Sequence, residues 1–236
     1  PNHVATLQFQ PIAAVSAEQR RRADAIPRRY TDRLPFGPPS RWTTLHSALD
    51  RAVTGYDVLL DVVADDDRER LAEAYRLTET LRRYDTSYLD ELRWWTSPFA
   101  SGEGIPQDLL VSSSEAARVD VARVFPPGSE IQHQVTVDHD QSKIVVLSTR
   151  GDDSRLNVLR CGEAMSAVLL ECTMTGVATF ILTHMPESAE SRNIIAQITG
   201  TVGRPQLLIR VGTSPARDRH IQHAARRTLT EILEVR

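Results

Sequence analysis

The chain has almost no lysine: Lys143 is the only one among 28 basic residues. That skew fits a GC-rich gene and selects no function. Cysteine is also scarce, at two residues, which excludes a disulfide-dense secreted scaffold. If Cys161 and Cys172 share a helix, they lie about 16 Å apart at ~1.5 Å per residue, beyond disulfide reach. A reducing, cytoplasmic compartment is expected, and no leader is read at Pro1. An excess of positive charge is lacking too. A net charge of −3 and a pI near 6.2 argue against a general nucleic-acid binder. No apolar run suits a membrane: Ala164 to Thr183 is interrupted by Glu171, several Thr and Gly176. G-x-S-x-G, Walker A and G-x-G-x-x-G are all missing, so hydrolase, P-loop and Rossmann readings have no motif.

What remains is ordinary globular material. The chain has 236 residues, 41% hydrophobic and 25% charged, enough for one large domain or two small ones. Val4 to Phe9 alternates in part and reads as a strand. Ser16-Ala-Glu-Gln19 is a capping box that starts a helix, which Pro27 bends or ends. Arg28 to Pro39 is basic and rich in Pro, predicting a loop with a fixed path. Ser40 is placed to cap a helix carrying Trp42, Leu45, Leu49 and Val53. Val58 to Val63 reads as a strand. Asp65 to Asp67 suits a helix N-terminus, with Leu71, Tyr75, Thr78 and Leu81 on one face. Thr86 to Trp95 is a further helix, whose Trp94 and Trp95 are suited to stack on a ring or a lid, although aromatic residues at helical spacing more often lie in the core.

Residues 97–142 are irregular and read as a lid, binding element or mobile region. Ile144 to Ser148 is a buried strand. Asp152 to Thr175 is the longest helix, with Val158, Leu159, Met165, Val168, Leu169 and Cys172 at helical spacing and Gly176 to end it. Val177 to Leu182, Pro186 to Thr199 and Gln206 to Val211 read as strand, helix and last core strand. Strands and helices mix without a strict βαβ rhythm, so the fold class is α+β.

Few residues invite chemistry. Arg29, Thr31 and Arg33 alternate in the Pro-bounded loop. Guanidinium forks and a hydroxyl in a fixed loop suit a phosphate; a solvated basic loop accounts for the spacing equally well. Arg226 and Arg227 form a second pair in a polar tail. Thr183 and His184 follow a strand, where a His also satisfies ordinary structural bonding. His133, Asp138, His139 and Asp140 match no zinc spacing and read as a polar loop; His220 and His223 carry no metal reading either.

Three segments together resemble the nitroreductase-like flavoproteins. They are Arg28-Arg-Tyr-Thr-Asp-Arg33 with Leu-Pro-Phe36, the stretch Arg160 to Thr179, and Pro205 to Gly212. Thr31-Asp-Arg-Leu-Pro-Phe36, Glu91-Leu-Arg-Trp-Trp-Thr96 and Leu182-Thr-His184 are most similar to the Acg family, actinobacterial proteins named as NAD(P)H nitroreductases. The resemblance implies a mostly antiparallel sheet with packed helices. It also implies FMN held by Arg29, Thr31, Arg33, Arg226 and Arg227, with Thr183 and His184 over the flavin ring. No side-chain acid or base is implied as catalytic. Acg proteins resemble two fused nitroreductase subunits sharing one flavin site. On that pattern, residues 1–15 correspond to the end of a first half and 16–236 to a second half. The implied activity passes hydride from NAD(P)H through flavin to a nitroaromatic or quinone-like acceptor. The alternative is a protein that sequesters flavin with little turnover. Without the first half's flavin-wrapping stretch, pairing with another chain through the uncovered surface is expected. No nucleic-acid or membrane partner is implied.

Overall fold

A computed structural model describes residues 8, 10–97, 104–123, 125, 137–215 and 227–232. The Val4–Phe9 strand therefore lies, apart from Gln8, outside the described residues, as do His133, His220, His223 and Arg226.

Among the described residues, four strands form one antiparallel sheet in the order β1-β2-β4-β3. They are β1 (Val58–Val62), β2 (Lys143–Thr149), β3 (Ala178–Leu182) and β4 (Arg204–Gly212). Successive side chains of a strand point to opposite faces, and both faces here are covered. Val145 and Leu147 of β2 and Leu207, Ile209 and Val211 of β4 point to one side. There they meet α2 (Trp42–Val53) and α6 (Arg155–Met174). Ile144, Val146 and Leu208 point the other way, against α3 (Arg68–Arg82) and α7 (Ala189–Thr199). This double burial explains why the centre of β2 is an unbroken apolar run rather than an alternating one. The α+β architecture expected from the sequence is the one observed.

Local signals account for most element ends. Ser16 and Gln19 form the capping box of α1 (Ala17–Ala25), and Ile26 closes it before Pro27. The α6 cap is Ser154, two residues beyond the expected start, and Gly176 follows the helix at φ +72°. Cys161 and Cys172 both lie buried on α6 as free thiols. Asp65–Asp67 form a 3₁₀ turn that runs into α3, whose face buries Leu71, Tyr75 and Thr78.

Four expectations need correcting. Ser40 does not cap α2; the cap position is Arg41, in the left-handed region at φ 52° with no side-chain cap bond. Leu81 is exposed, because the buried face of α3 has rotated away by its last turn. Trp94 and Trp95, at the end of α4 (Thr86–Trp95), are 51% and 41% exposed and pack edge-to-face on each other rather than in the core. Val158 is exposed as well, one turn into α6, before that helix reaches the sheet. The described part of the irregular segment is docked. It holds a short helix, α5 (Ser113–Ala116), and buries Leu110, Val119 and Val121.

The loop of residues 28–39 does have a fixed path. The Asp32 amide donates to the Thr179 carbonyl of β3 at 3.1 Å. Gly37 bridges to Thr213 beyond β4, and Thr213 Oγ1 donates to the Pro38 carbonyl. Gly212 permits this approach: a Cβ there would meet Phe36 Cβ at 2.5 Å and the Gly37 carbonyl at 2.6 Å.

Candidate functional site

Two groups of charged side chains flank this loop. The first lies beneath it. Arg210 sits in mid-β4 at 0% exposure, on the face occupied by Ile144 and Leu208. Its Nη2 donates to Asp140 Oδ1 at 2.6 Å and to the Leu34 carbonyl at 3.0 Å. Its guanidinium lies 4.6 Å from the centre of the Phe36 ring and 5.5 Å from that of Phe180. Asp140 also accepts from the Phe36 amide, Ser142 Oγ and Arg68 Nη2. Burial alone would raise the Asp140 pKa, but the Arg210 charge and these hydrogen bonds hold it below the ordinary carboxylate value. Asp140 is therefore not part of a polar surface loop, as its sequence neighbourhood implied. It anchors the loop of residues 28–39 to the sheet.

The second group lies where the loop, the start of α4, the segment around 123 and the end of β3 converge. Arg33 is half-buried, with its guanidinium 5.1 Å from the Phe125 ring centre. Arg123 is 5.7 Å from the same centre and 5.1 Å from that of Tyr88. Arg82, ion-paired to Glu187, stacks on Tyr88 at 4.9 Å. Burial lowers the Arg33 pKa to about 10; Asp32 opposes this and Arg123 adds to it. Burial raises the Tyr88 pKa, with Glu79 adding and Arg123 and Arg82 opposing.

His184 belongs to this second group and is 2% exposed. Its ring stands edge-on to Tyr75, 5.8 Å away. Its Nε2 lies 3.3 Å from Glu79 Oε1 without the alignment of a hydrogen bond. Burial, followed by the charges of Arg123 and Arg82, pushes its pKa down to about 3, so the imidazole is neutral. Burial pushes the Glu79 carboxyl up, and the same two arginines oppose it.

The sequence-derived residues thus part company. Arg33 and His184 come into one cluster through Arg123. Arg29 and Thr31 stay on the loop, both half-buried, with the Arg29 amide donating to Ala25 at the end of α1. Thr183 faces solvent while His184 faces inward. Arg227 is exposed, near Glu231. Sequence reasoning missed Arg123, Tyr88, Asp140 and Arg210. For Arg210 a signal existed: a charge at an inward position of a core strand demands a buried partner.

No protein-family model matches the chain. Curated relatives do. The chain is 48% identical over 236 residues to "Uncharacterized protein Rv3127" of Mycobacterium tuberculosis H37Rv, covering all of this chain and 68% of that protein. It is 46% identical to "Putative NAD(P)H nitroreductase acg" of the same strain, covering all of this chain and 71% of that protein. Among solved structures, the FMN-dependent nitroreductase NfnB from Mycobacterium smegmatis, in complex with NADPH, superposes with a TM-score of 0.58 at 15% identity. The match covers 92% of this chain and 98% of that one. A nitroreductase with bound FMN from Bacteroides fragilis gives 0.54 at 14%, covering 91% and 98%. The fold is that of the nitroreductases, and the chain belongs to the Acg family.

Proposed function

We propose that this protein is an FMN-binding oxidoreductase working with NAD(P)H. The observation that carries the reading is the loop of residues 28–39. It is basic, and hydrogen bonds from β3, β4 and Asp140 hold its path. Within it, Arg33 presents a buried Nε that has no partner among the described residues. An orphaned cationic donor on a rigid loop fits the phosphate end of a flavin nucleotide. Arg29 and Thr31 extend the same surface, and Arg226 and Arg227 would approach from the tail. Thr183, exposed at the end of β3, is the residue of its pair available to a flavin ring; His184, turned inward, would support it from below.

Bound flavin would supply two-electron transfer between NAD(P)H and a nitroaromatic or quinone-like acceptor. The chain's own part is to hold the phosphate, orient the ring and limit access to it. Burial of Leu110, Val119 and Val121 supports a second reading. It anchors the irregular segment to the core, as a cover that restricts NAD(P)H would require, so flavin would be kept with little turnover. Anaerobic mixing of the flavin-loaded protein with NAD(P)H tests both. Rapid bleaching of the oxidised flavin band is expected for the reductase. A band that persists favours retention without turnover. Failure to bind FMN at all would overturn both readings. Association of two copies through the surface that the other half of an Acg protein would cover completes the proposal, with sedimentation as its measurement.

A further inference from the structure

Six of the partly or fully buried arginines fall into two kinds. Arg68, Arg82, Arg192 and Arg210 each bond a carboxylate: Asp140, Glu187, Asp153 and Asp140 respectively. Arg33 and Arg123 bond none among the described residues, and the Nε of each is sealed from water without a partner. The two guanidinium groups share the Phe125 ring and repel each other. Of the two carboxylates whose charge reaches them, Asp32 is otherwise occupied and Glu79 bonds neither arginine. Asp32 accepts from the Leu34 amide and Ser214 Oγ. Glu79 faces His184 and lies in the field of both Arg123 and Arg82. A guanidinium carries five N–H donors, and leaving such donors unsatisfied in a half-buried site is costly.

We infer that Arg33 and Arg123 form a clamp for a phosphate-class oxyanion, Arg123 being the member that no sequence motif assigns. Two planar forks converging on one anion satisfy the stranded donors and cancel the mutual repulsion. The Phe125 ring holds both groups in place by cation–π contact. The clamp rests on the flavin-binding reading only for the identity of the phosphate, which FMN or a phosphorylated nicotinamide cofactor can supply.

Thermal unfolding of the full chain in inorganic phosphate against chloride, at equal ionic strength, tests the clamp directly. Phosphate is expected to raise the Tm of the parent chain. That rise should vanish in Arg123→Gln and in Arg33→Gln, while both variants unfold in chloride at or above the parent's temperature. No phosphate effect in the parent, or the same effect in both variants, overturns the inference. Phosphate stabilisation in a chain that binds no FMN leaves the clamp standing and removes the flavin reading. Titration with FMN and with riboflavin then names the source. If the phosphate is the flavin's, Arg123→Gln weakens FMN by roughly tenfold and leaves riboflavin unchanged. If FMN is unaffected and NADPH weakens instead, the clamp serves the nicotinamide cofactor.

Discussion

The Arg210 and Arg33 guanidiniums lie on the two sides of one loop and have opposite fates. Arg210 is wholly enclosed, and its contacts include a carboxylate, a carbonyl and two aromatic rings. Arg33 is half-enclosed beside a second arginine and bonds no carboxylate among the described residues; each guanidinium keeps one buried N–H without a partner, Nη1 of Arg210 and Nε of Arg33. A closed charge network specifies structure. An open one in a rigid setting is where a ligand completes the bonding. Residue type does not separate the two cases; the presence of an enclosed carboxylate does.

Removing Asp140 should show the largest effect. Asp140→Ala leaves Arg210 buried without its counter-charge, at a cost of about 3–5 kcal/mol, read as a lower denaturant midpoint. Replacing Arg33 or Arg123 by Gln should change the stability of the ligand-free protein by less than about 0.5 kcal/mol. Equal losses at Asp140 and Arg123 would erase the distinction between the networks.

Acid separates them next. His184 is neutral in the fold with a pKa near 3, against about 6.5 unfolded. The unfolded chain therefore binds the extra proton between those values, and stability falls as pH drops below about 6.5. From pH 6.5 to 5 the loss is about 2 kcal/mol. The raised Glu79 pKa opposes it, since the folded state then takes up a proton more readily. Arg82 and Arg123 face both groups, opposing the rise at Glu79 and adding to the fall at His184. A His184→Phe variant should flatten this limb of the stability–pH curve. Asp140 acts lower: its folded pKa is depressed, so its contribution is present above about 3.9 and is lost as pH falls through the folded value. Denaturant midpoints across pH 3–7 resolve the two steps.

Gly212→Ala tests the join between the loop and the sheet. Its methyl would strike Phe36 and the Gly37 carbonyl, costing about 1–3 kcal/mol. FMN affinity should fall with it, because the loop that carries Arg33 must lift.

Much of this arrangement was legible beforehand. The Ser16–Gln19 capping box, the apolar run of β2, Gly176 and the Pro-rich loop are local patterns with local causes, and each has its expected form. The misread residues depend on distant partners. Trp94 and Trp95 have core-like chemistry, but they end a helix whose buried face is occupied by Tyr88 and Leu92. His184 and Thr183 are neighbours in sequence, yet the turn from β3 into the 3₁₀ helix Met185–Glu187 leaves one buried and the other exposed. Asp140 looked like part of a polar stretch because Arg210, which encloses it, lies 70 residues away. Arg123 carried no pattern at all; only the fold places it beside Arg33.

The bonds that hold the loop also order events in time. Leu34 meets Arg210 across 176 residues, Pro38 meets Thr213 across 175, and Asp32 meets Ser214 across 182. Contacts so distant in sequence form late and slowly. During synthesis, which proceeds from the N-terminus, Arg29, Thr31 and Arg33 cannot take up their final positions until β4 has left the ribosome. The phosphate binding proposed for this loop would therefore require β4, and a nascent chain stalled before Arg204 should have none.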